Sequence, residues 1–159
     1  MALANKPNLT TRSRIRGVAA VELAFLLIPL VLMIFGTTEL GRAIYSYNTL
    51  DKAVRDATRY LSQHGAGDAT VAAEAACLAT NGNLSCTPPT LVPGITAGMV
   101  VICDRILCPG NHANQTPPGA GSMNLVSVSI QNYPYASMVE FVVPSLNFNN
   151  ISVTMRAQL

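Results

Sequence analysis

The chain has 159 residues, enough for one modest domain with a membrane anchor but too few for two full domains. Half of the residues are hydrophobic and only 11% are charged, against roughly 25% in ordinary soluble domains. Lys6, Arg12, Arg14 and Arg16 account for the net charge of +2, because the remainder has 6 basic and 8 acidic side chains. That remainder has no basic patch, so we expect no nucleic-acid partner.

The N-terminal third divides into a basic leader and an apolar segment. We expect residues 1–17 to form a cytoplasmic leader, disordered over residues 1–11. Residues 18–38 then form a 21-residue apolar stretch, about 31 Å long as a helix, which matches a bilayer core. The basic residues before it and Glu39 after it predict a cytoplasmic N-terminus and a single pass with the rest of the chain outside. Pro29 lies in mid-segment, where membrane helices tolerate a kink.

Three interpretations of this segment stay open. A cleaved secretory signal would have an apolar run of 7–15 residues and a small-residue cleavage site, neither of which fits well here. A plain signal anchor would leave Glu22 near the interface without a function. A pilin-like signal would be cut on the cytoplasmic side, between Gly17 and Val18, and would make Glu22 the fifth residue of the mature chain.

The spacing of Gly17 and Glu22 gives the third interpretation a chemical rationale. Glu22 is the only ionisable side chain from residue 18 to residue 38, and a carboxylate in a membrane segment is costly and usually functional. Cleavage after Gly17 frees a positive α-amino group on Val18. In a dry helix bundle that amine needs a counter-charge, and Glu22 of a neighbouring subunit can supply it.

Three motifs in order resemble one family. The first holds the basic tail, glycine and glutamate, Arg16-Gly17-Val18-Ala19-Ala20-Val21-Glu22-Leu23-Ala24-Phe25, with Leu23 where the family more often has an aromatic residue. The second is Glu39-Leu40-Gly41-Arg42, and the third is Ala53-Val54-Arg55-Asp56-Ala57-Thr58-Arg59-Tyr60. Over residues 12–64, about a third of the chain, the sequence is similar to the TadE-like minor pilins of the tight-adherence (Flp-type) pilus system.

The resemblance implies a minor pilin (pseudopilin) that helps to assemble or prime an adhesive pilus. Its implied partners are major and minor pilin subunits, a prepilin peptidase, the pilus assembly platform in the bacterial inner membrane, and membrane lipid. The implied location is the inner membrane, with possible entry into a surface pilus. The alternative is a signal-anchored extracytoplasmic adhesion module that does not polymerise, with the loops at residues 87–98 and 109–122 as its binding surface.

Beyond the membrane we expect residues 39–64 to extend the helix and residues 65–159 to form an extracytoplasmic domain. One predicted apolar helix face comprises Leu40, Ala43, Ile44, Tyr47, Leu50, Val54, Ala57 and Leu61. Asp68 and Asn81-Gly82 bracket a second helix. Alternating residues predict strands near residues 126–131 and 151–156, with a short strand at 99–103 and a turn at 132–135. The predicted fold class is α+β, a long N-terminal helix packed against a small antiparallel sheet, as in pilins.

Four cysteines lie after the apolar segment, which favours two disulfides in an oxidising compartment. The local pairs Cys77–Cys86 and Cys103–Cys108 are the favoured connectivity. A zinc site from Cys103, Cys108 and His112 with a fourth ligand from elsewhere is the alternative, although its spacing fits no tight-knuckle pattern. No acid is spaced to orient His64 or His112, and there is no Gly-rich phosphate loop after a strand. We therefore expect no enzymatic activity, cofactor or resident metal.

Overall fold

The computed structural model describes residues 9–119 and 121–158, with side chains described from residue 17 onward. A long helix is followed by a small domain with the predicted α+β architecture. The elements in chain order are α1 Leu9–Ser62, α2 Ala69–Asn81, a 3₁₀ turn Ala97–Met99, β1 Val100–Cys103, α3 Pro109–His112, β2 Leu125–Tyr135 and β3 Leu146–Arg156.

Helix α1 is one continuous element of 54 residues, about 81 Å long at 1.5 Å per residue. Pro29 lies inside it without ending it. The last turn is closed by short-range bonds from the His64 N–H to the Leu61 carbonyl and from the Gln63 N–H to the Tyr60 carbonyl. The predicted continuation from the apolar segment into the domain is confirmed, with the helix ending two residues before His64.

The leader differs from its prediction where the structure describes it. Helix α1 begins at Leu9, so residues 9–11 are helical rather than disordered. Extending an existing helix by one residue fixes the backbone of that residue and adds one hydrogen bond, whereas starting a helix fixes several residues for a single bond. A helix therefore extends readily into flanking sequence. Residues 1–8, including Lys6, lie outside the described residues.

The upper part of α1 packs under the domain through a narrower face than the sequence predicted. Leu50, Val54 and Ala57 are fully buried, and Ala43 and Leu61 nearly so. The other three predicted face residues are wrong as core positions: Leu40, Ile44 and Tyr47 are 57%, 53% and 44% exposed. The sheet and α2 cover only one side of α1. Tyr47 lies at the edge of the covered stripe, where its ring meets Phe148 of β3 at 5.5 Å between ring centres.

Helix α2 has the ends that the sequence predicted. The Asp68 side chain accepts hydrogen bonds from the N–H groups of Thr70 at 2.8 Å and Val71 at 3.3 Å, satisfying donors that the first turn leaves unpaired. Gly82 caps the other end with φ of 71°, and its N–H bonds to the Leu78 carbonyl. Only glycine adopts that conformation without strain. Ala75 and Ala79 then bury the inner face of α2 in the core.

Three antiparallel strands form the sheet in the order β1-β2-β3. In β2, Val126, Val128 and Ile130 are buried and alternate with more exposed residues. Ile130 lies opposite Ile151 of β3, which is also buried. The two strong strands predicted from alternation are confirmed, and their apolar face covers upper α1.

The predicted turn at residues 132–135 is wrong, because these residues continue strand β2. Asn132 has φ of 53°, after which burial moves from even to odd positions at Tyr133 and Tyr135. Pairing resumes with Tyr133 opposite Phe148. Pro134 is tolerated because β1 pairs only with residues 127–130, so no neighbour needs the missing N–H there.

The two predicted loops are more ordered than their proline and glycine content indicated. Val92 and Ile95 of the 87–98 loop are buried, and the Tyr133 hydroxyl donates to the Pro93 carbonyl at 2.7 Å. The 109–122 segment begins with α3 and includes a bridge between Gln115 and Met123. The 109–122 segment therefore contains regular structure where the sequence predicted only loop.

Candidate functional site

Within the part of the chain that the structure describes, nothing packs over the lower half of α1. Every residue from 17 to 35 is exposed, including Phe25 at 71% and Met33 at 72%. The most apolar window of the helix has a mean hydropathy of 2.7 and is entirely unburied. By length and composition this segment could cross a membrane. We call residues 17–35 the bare segment.

The residues of the proposed cleavage and docking site lie on the bare segment. Gly17, Val18 and Glu22 are all exposed on the helix surface, and Val18 and Glu22 are one turn apart on the same side. A side chain at Gly17 would meet nothing within 4 Å, so packing in this structure does not require glycine there. Among the described side chains, from residue 17 to 119 and from 121 to 158, none makes a hydrogen bond or ion pair with the Glu22 carboxylate.

The side chains of the basic leader residues are not among those that the structure describes. Lys6 lies outside the described residues, and the side chains of Arg12, Arg14 and Arg16 do as well, although their backbone belongs to α1. Their role in membrane orientation remains a prediction from the sequence.

A second charged group lies where α1 leaves the apolar segment. Glu39 is only 2% exposed, and its two carboxylate oxygens accept hydrogen bonds from Arg42 Nη1 at 3.0 and 2.9 Å. The Tyr135 hydroxyl donates to Oε1 at 2.8 Å, and the Met138 N–H donates to the same oxygen at 3.2 Å. We call Glu39, Arg42, Tyr135 and Met138 the Glu39 junction.

The Glu39 junction fastens the domain to the helix through an ionised carboxylate. Burial raises the pKa of Glu39, but the bonds from Tyr135, Met138 and Arg42 together hold that pKa below its ordinary value of 4.5. Burial and the bond to Glu39 raise the pKa of Tyr135, so its hydroxyl keeps its proton. The Arg42 guanidinium also lies 5.8 Å from the centre of the Tyr135 ring, a cation–π distance.

In the sequence, Glu39 is a signal of membrane topology and Glu39 and Arg42 belong to a family motif, but neither is predicted to contact the domain. The available signal was a Glu–Arg pair three residues apart at the end of an apolar run. That spacing places the two side chains on one helix face. Tyr135 and Met138 could not be found in this way, because they reach Glu39 from almost a hundred residues away in the chain.

The cysteines form the two local pairs that the sequence favoured. Cys77 is bonded to Cys86 at the end of α2, and Cys103 is bonded to Cys108 after β1. Ligand atoms of Cys103, Cys108 and His112 lie within 4.8 Å of one another, but both sulfurs are engaged in the disulfide. His112 Nε2 is 2.7 Å from the Ser127 hydroxyl. The arrangement is a structural cross-link beside a half-buried histidine.

Residues 17–59 match the family model for TadE-like proteins. This segment is TadE-like. Comparisons with curated proteins and with solved structures find no match. The resemblance predicted from the sequence is confirmed, over the helix and not over the domain.

The TadE-like segment contains both charged groups described above. Gly17, Val18 and Glu22 lie at its start, and Glu39 and Arg42 lie in its middle. Tyr135 and all four cysteines lie outside the matched residues. The TadE-like family is a structural, non-enzymatic family of the Tad pilus, and residues 17–59 are the part of this chain that matches it.

Proposed function

We propose that this chain is a minor pilin that takes part in assembling or priming a Flp-type adhesive pilus. Residues 1–17 would be its cytoplasmic leader, residues 18–38 its membrane helix, residues 39–64 the extension of that helix, and residues 65–159 its extracytoplasmic domain. A prepilin peptidase would cut between Gly17 and Val18, with Lys6, Arg12, Arg14 and Arg16 holding the leader on the cytoplasmic side.

One observation carries the proposal. A TadE-like helix exposes all of its side chains from residue 17 to residue 35, and its one acid there follows a glycine by five residues. Burial within the chain does not account for this apolar surface, so lipid or neighbouring helices must cover it. Packing against lipid alone accounts for the apolar residues but not for Glu22.

Glu22 gains a role when helices of several subunits pack together. After cleavage the amine of Val18 would be a positive charge near the end of a helix, excluded from water by its neighbours. Pairing with Glu22 of an adjacent subunit would neutralise both charges and fix the longitudinal register of the two helices. The partners required are major and minor pilins, the peptidase and the inner-membrane assembly platform.

The first test is N-terminal sequencing of the chain isolated from its native membrane. We expect a start at Val18, and an intact Met1 or a start beyond Thr38 would contradict the proposal.

Gly17→Val should block processing, because the residue before the cut would no longer fit a glycine site. Gly41→Val is the matched control, since neither glycine has an atom within 4 Å of the added Cβ, and it should be processed normally.

The second test is Glu22→Ala in cells that make the pilus. We expect normal membrane insertion and a strong loss of co-isolation with the major pilin, since removing one partner of a buried charge pair costs about 2–5 kcal/mol. Leu26→Ala, at a position that is also exposed (69%), should reduce co-isolation far less. Normal piliation with Glu22→Ala would remove Glu22 from the mechanism, and unchanged adhesion without pili would favour the non-polymerising adhesion module.

A further inference from the structure

The loop between β2 and β3 lies against α1 at the end of the apolar segment. The Met138 N–H bonds to Glu39 Oε1 at 3.2 Å. Val142 approaches Gly36 so closely that a Cβ on that glycine would lie 3.6 Å from Val142 Cγ1. These contacts fix the loop at the level of residues 36–39, where a helix spanning residues 18–38 would leave the bilayer core.

This loop exposes large apolar side chains at that level. Met138 and Phe141 are each 79% exposed, the highest values among the exposed large apolar side chains that the structure describes. They project from an ordered turn, because the N–H groups of Val142 and Val143 both bond to the Val139 carbonyl, at 2.9 and 3.0 Å. The exposure is therefore built into the local backbone.

We propose that Met138 and Phe141 insert into the outer interface of the bilayer and form a second membrane contact beside the helix. The occupant is lipid because the patch continues the bare surface of α1, at the depth where headgroups meet acyl chains. Glu140 lies between the two apolar residues and is exposed. A carboxylate is costly deep in the bilayer, so the loop rests at headgroup level.

The proposed contact restricts how the domain stands on the membrane. With the helix as the only membrane contact, the helix and the domain could tilt together in the bilayer. With the loop also seated, two points hold it, and the Glu39 junction keeps them together. This inference requires α1 to span a membrane, but it does not depend on cleavage or on pilus assembly.

Tryptophan fluorescence tests the proposal directly, because the chain contains no tryptophan. The full chain carrying Phe141→Trp is reconstituted in phosphatidylcholine vesicles at a low protein-to-lipid ratio, with lipids brominated at different depths. We expect a blue-shifted emission quenched best by bromines near the headgroups, at a depth of about 5–10 Å into the headgroup–acyl boundary. Leu107→Trp is the matched control, exposed by 56% on the domain, and should not be quenched.

Leu27→Trp in the bare segment separates the possible failures. If position 27 is quenched by deep bromines while position 141 behaves like position 107, the span stands and the proposal is overturned. If position 27 is not quenched, the span itself fails and the loop contact fails with it. Emission at 141 that shifts only as the protein-to-lipid ratio rises would show that another subunit covers the loop, which also overturns the proposal.

Discussion

The lower and upper halves of α1 belong to one helix but have different surroundings. From residue 17 to residue 35 every side chain is exposed, whereas Leu50, Val54 and Ala57 have no exposed surface. Folding of the domain explains the apolar residues of the upper half, because α2 and the sheet cover them. It does not explain those of the lower half. The half that the fold leaves uncovered is therefore where the proposed contacts with lipid and with other subunits lie.

The largest expected difference in domain stability comes from replacing one leucine in each half by alanine. Leu50→Ala should lower the free energy of unfolding of the domain by about 2–5 kcal/mol, because it removes buried methyl groups and leaves a cavity. Leu27→Ala, at a position 45% exposed, should leave that free energy unchanged. Urea unfolding of the full chain in detergent micelles, followed by near-ultraviolet circular dichroism, measures both. Equal effects would show that the halves do not differ in this way.

A smaller effect is expected from opening the disulfide at the end of α2. Replacing Cys77 and Cys86 together by serine should cost about 2–3 kcal/mol of domain stability, the chain-entropy value for a closed loop of this size. The helix content of the lower half in micelles should not change, since both cysteines lie in the domain. Replacing Cys103 and Cys108 is the comparison, and its shorter sequence separation of 5 against 9 predicts a slightly smaller cost. Loss of helix in the bare segment would contradict the separation of the two halves.

The subtlest test concerns the Glu39 junction, where the two halves meet. In the folded state the pKa of Glu39 is lower than its ordinary value of 4.5. Ionised Glu39 therefore stabilises the folded state above pH 4.5, and this contribution is lost as the pH falls through the folded-state pKa. Glu39→Gln should therefore be less stable than the wild type near neutral pH. The difference in urea midpoint should shrink in acid below pH 4.5. A difference that stays constant through that range would show that the charge of Glu39 is not what stabilises the junction.

Much of the fold follows from local signals in the sequence. Asp68 and Gly82 define the ends of α2 because capping depends on residues adjacent to the helix. Alternation at Val126, Val128 and Ile130 identifies β2 because one face of the sheet is buried. The bare segment is also predictable, since its length and composition alone distinguish it.

The failed predictions involve contacts between distant parts of the chain. Tyr133 and Pro134 carry a turn signal, yet tertiary burial of Tyr133 and the free edge beyond β1 keep them in a strand. Leu40 fits the helical period of the core face, but the domain ends before it reaches that side of α1. Glu39 is buried by Tyr135 and Met138, and no local pattern indicates which distant residues will arrive there.

The continuity of α1 has a geometric consequence for the two glutamates. Successive residues turn by about 100° about a helix axis, so Glu39 points about 100° away from Glu22 around that axis. The domain is fixed to Glu39 and therefore inherits this angle. One residue added between the glutamates would rotate the domain by about 100°, whereas seven would return it to within about 20° of its original direction. The number of residues between Glu22 and Glu39 thus determines which side of the domain faces whatever surrounds Glu22.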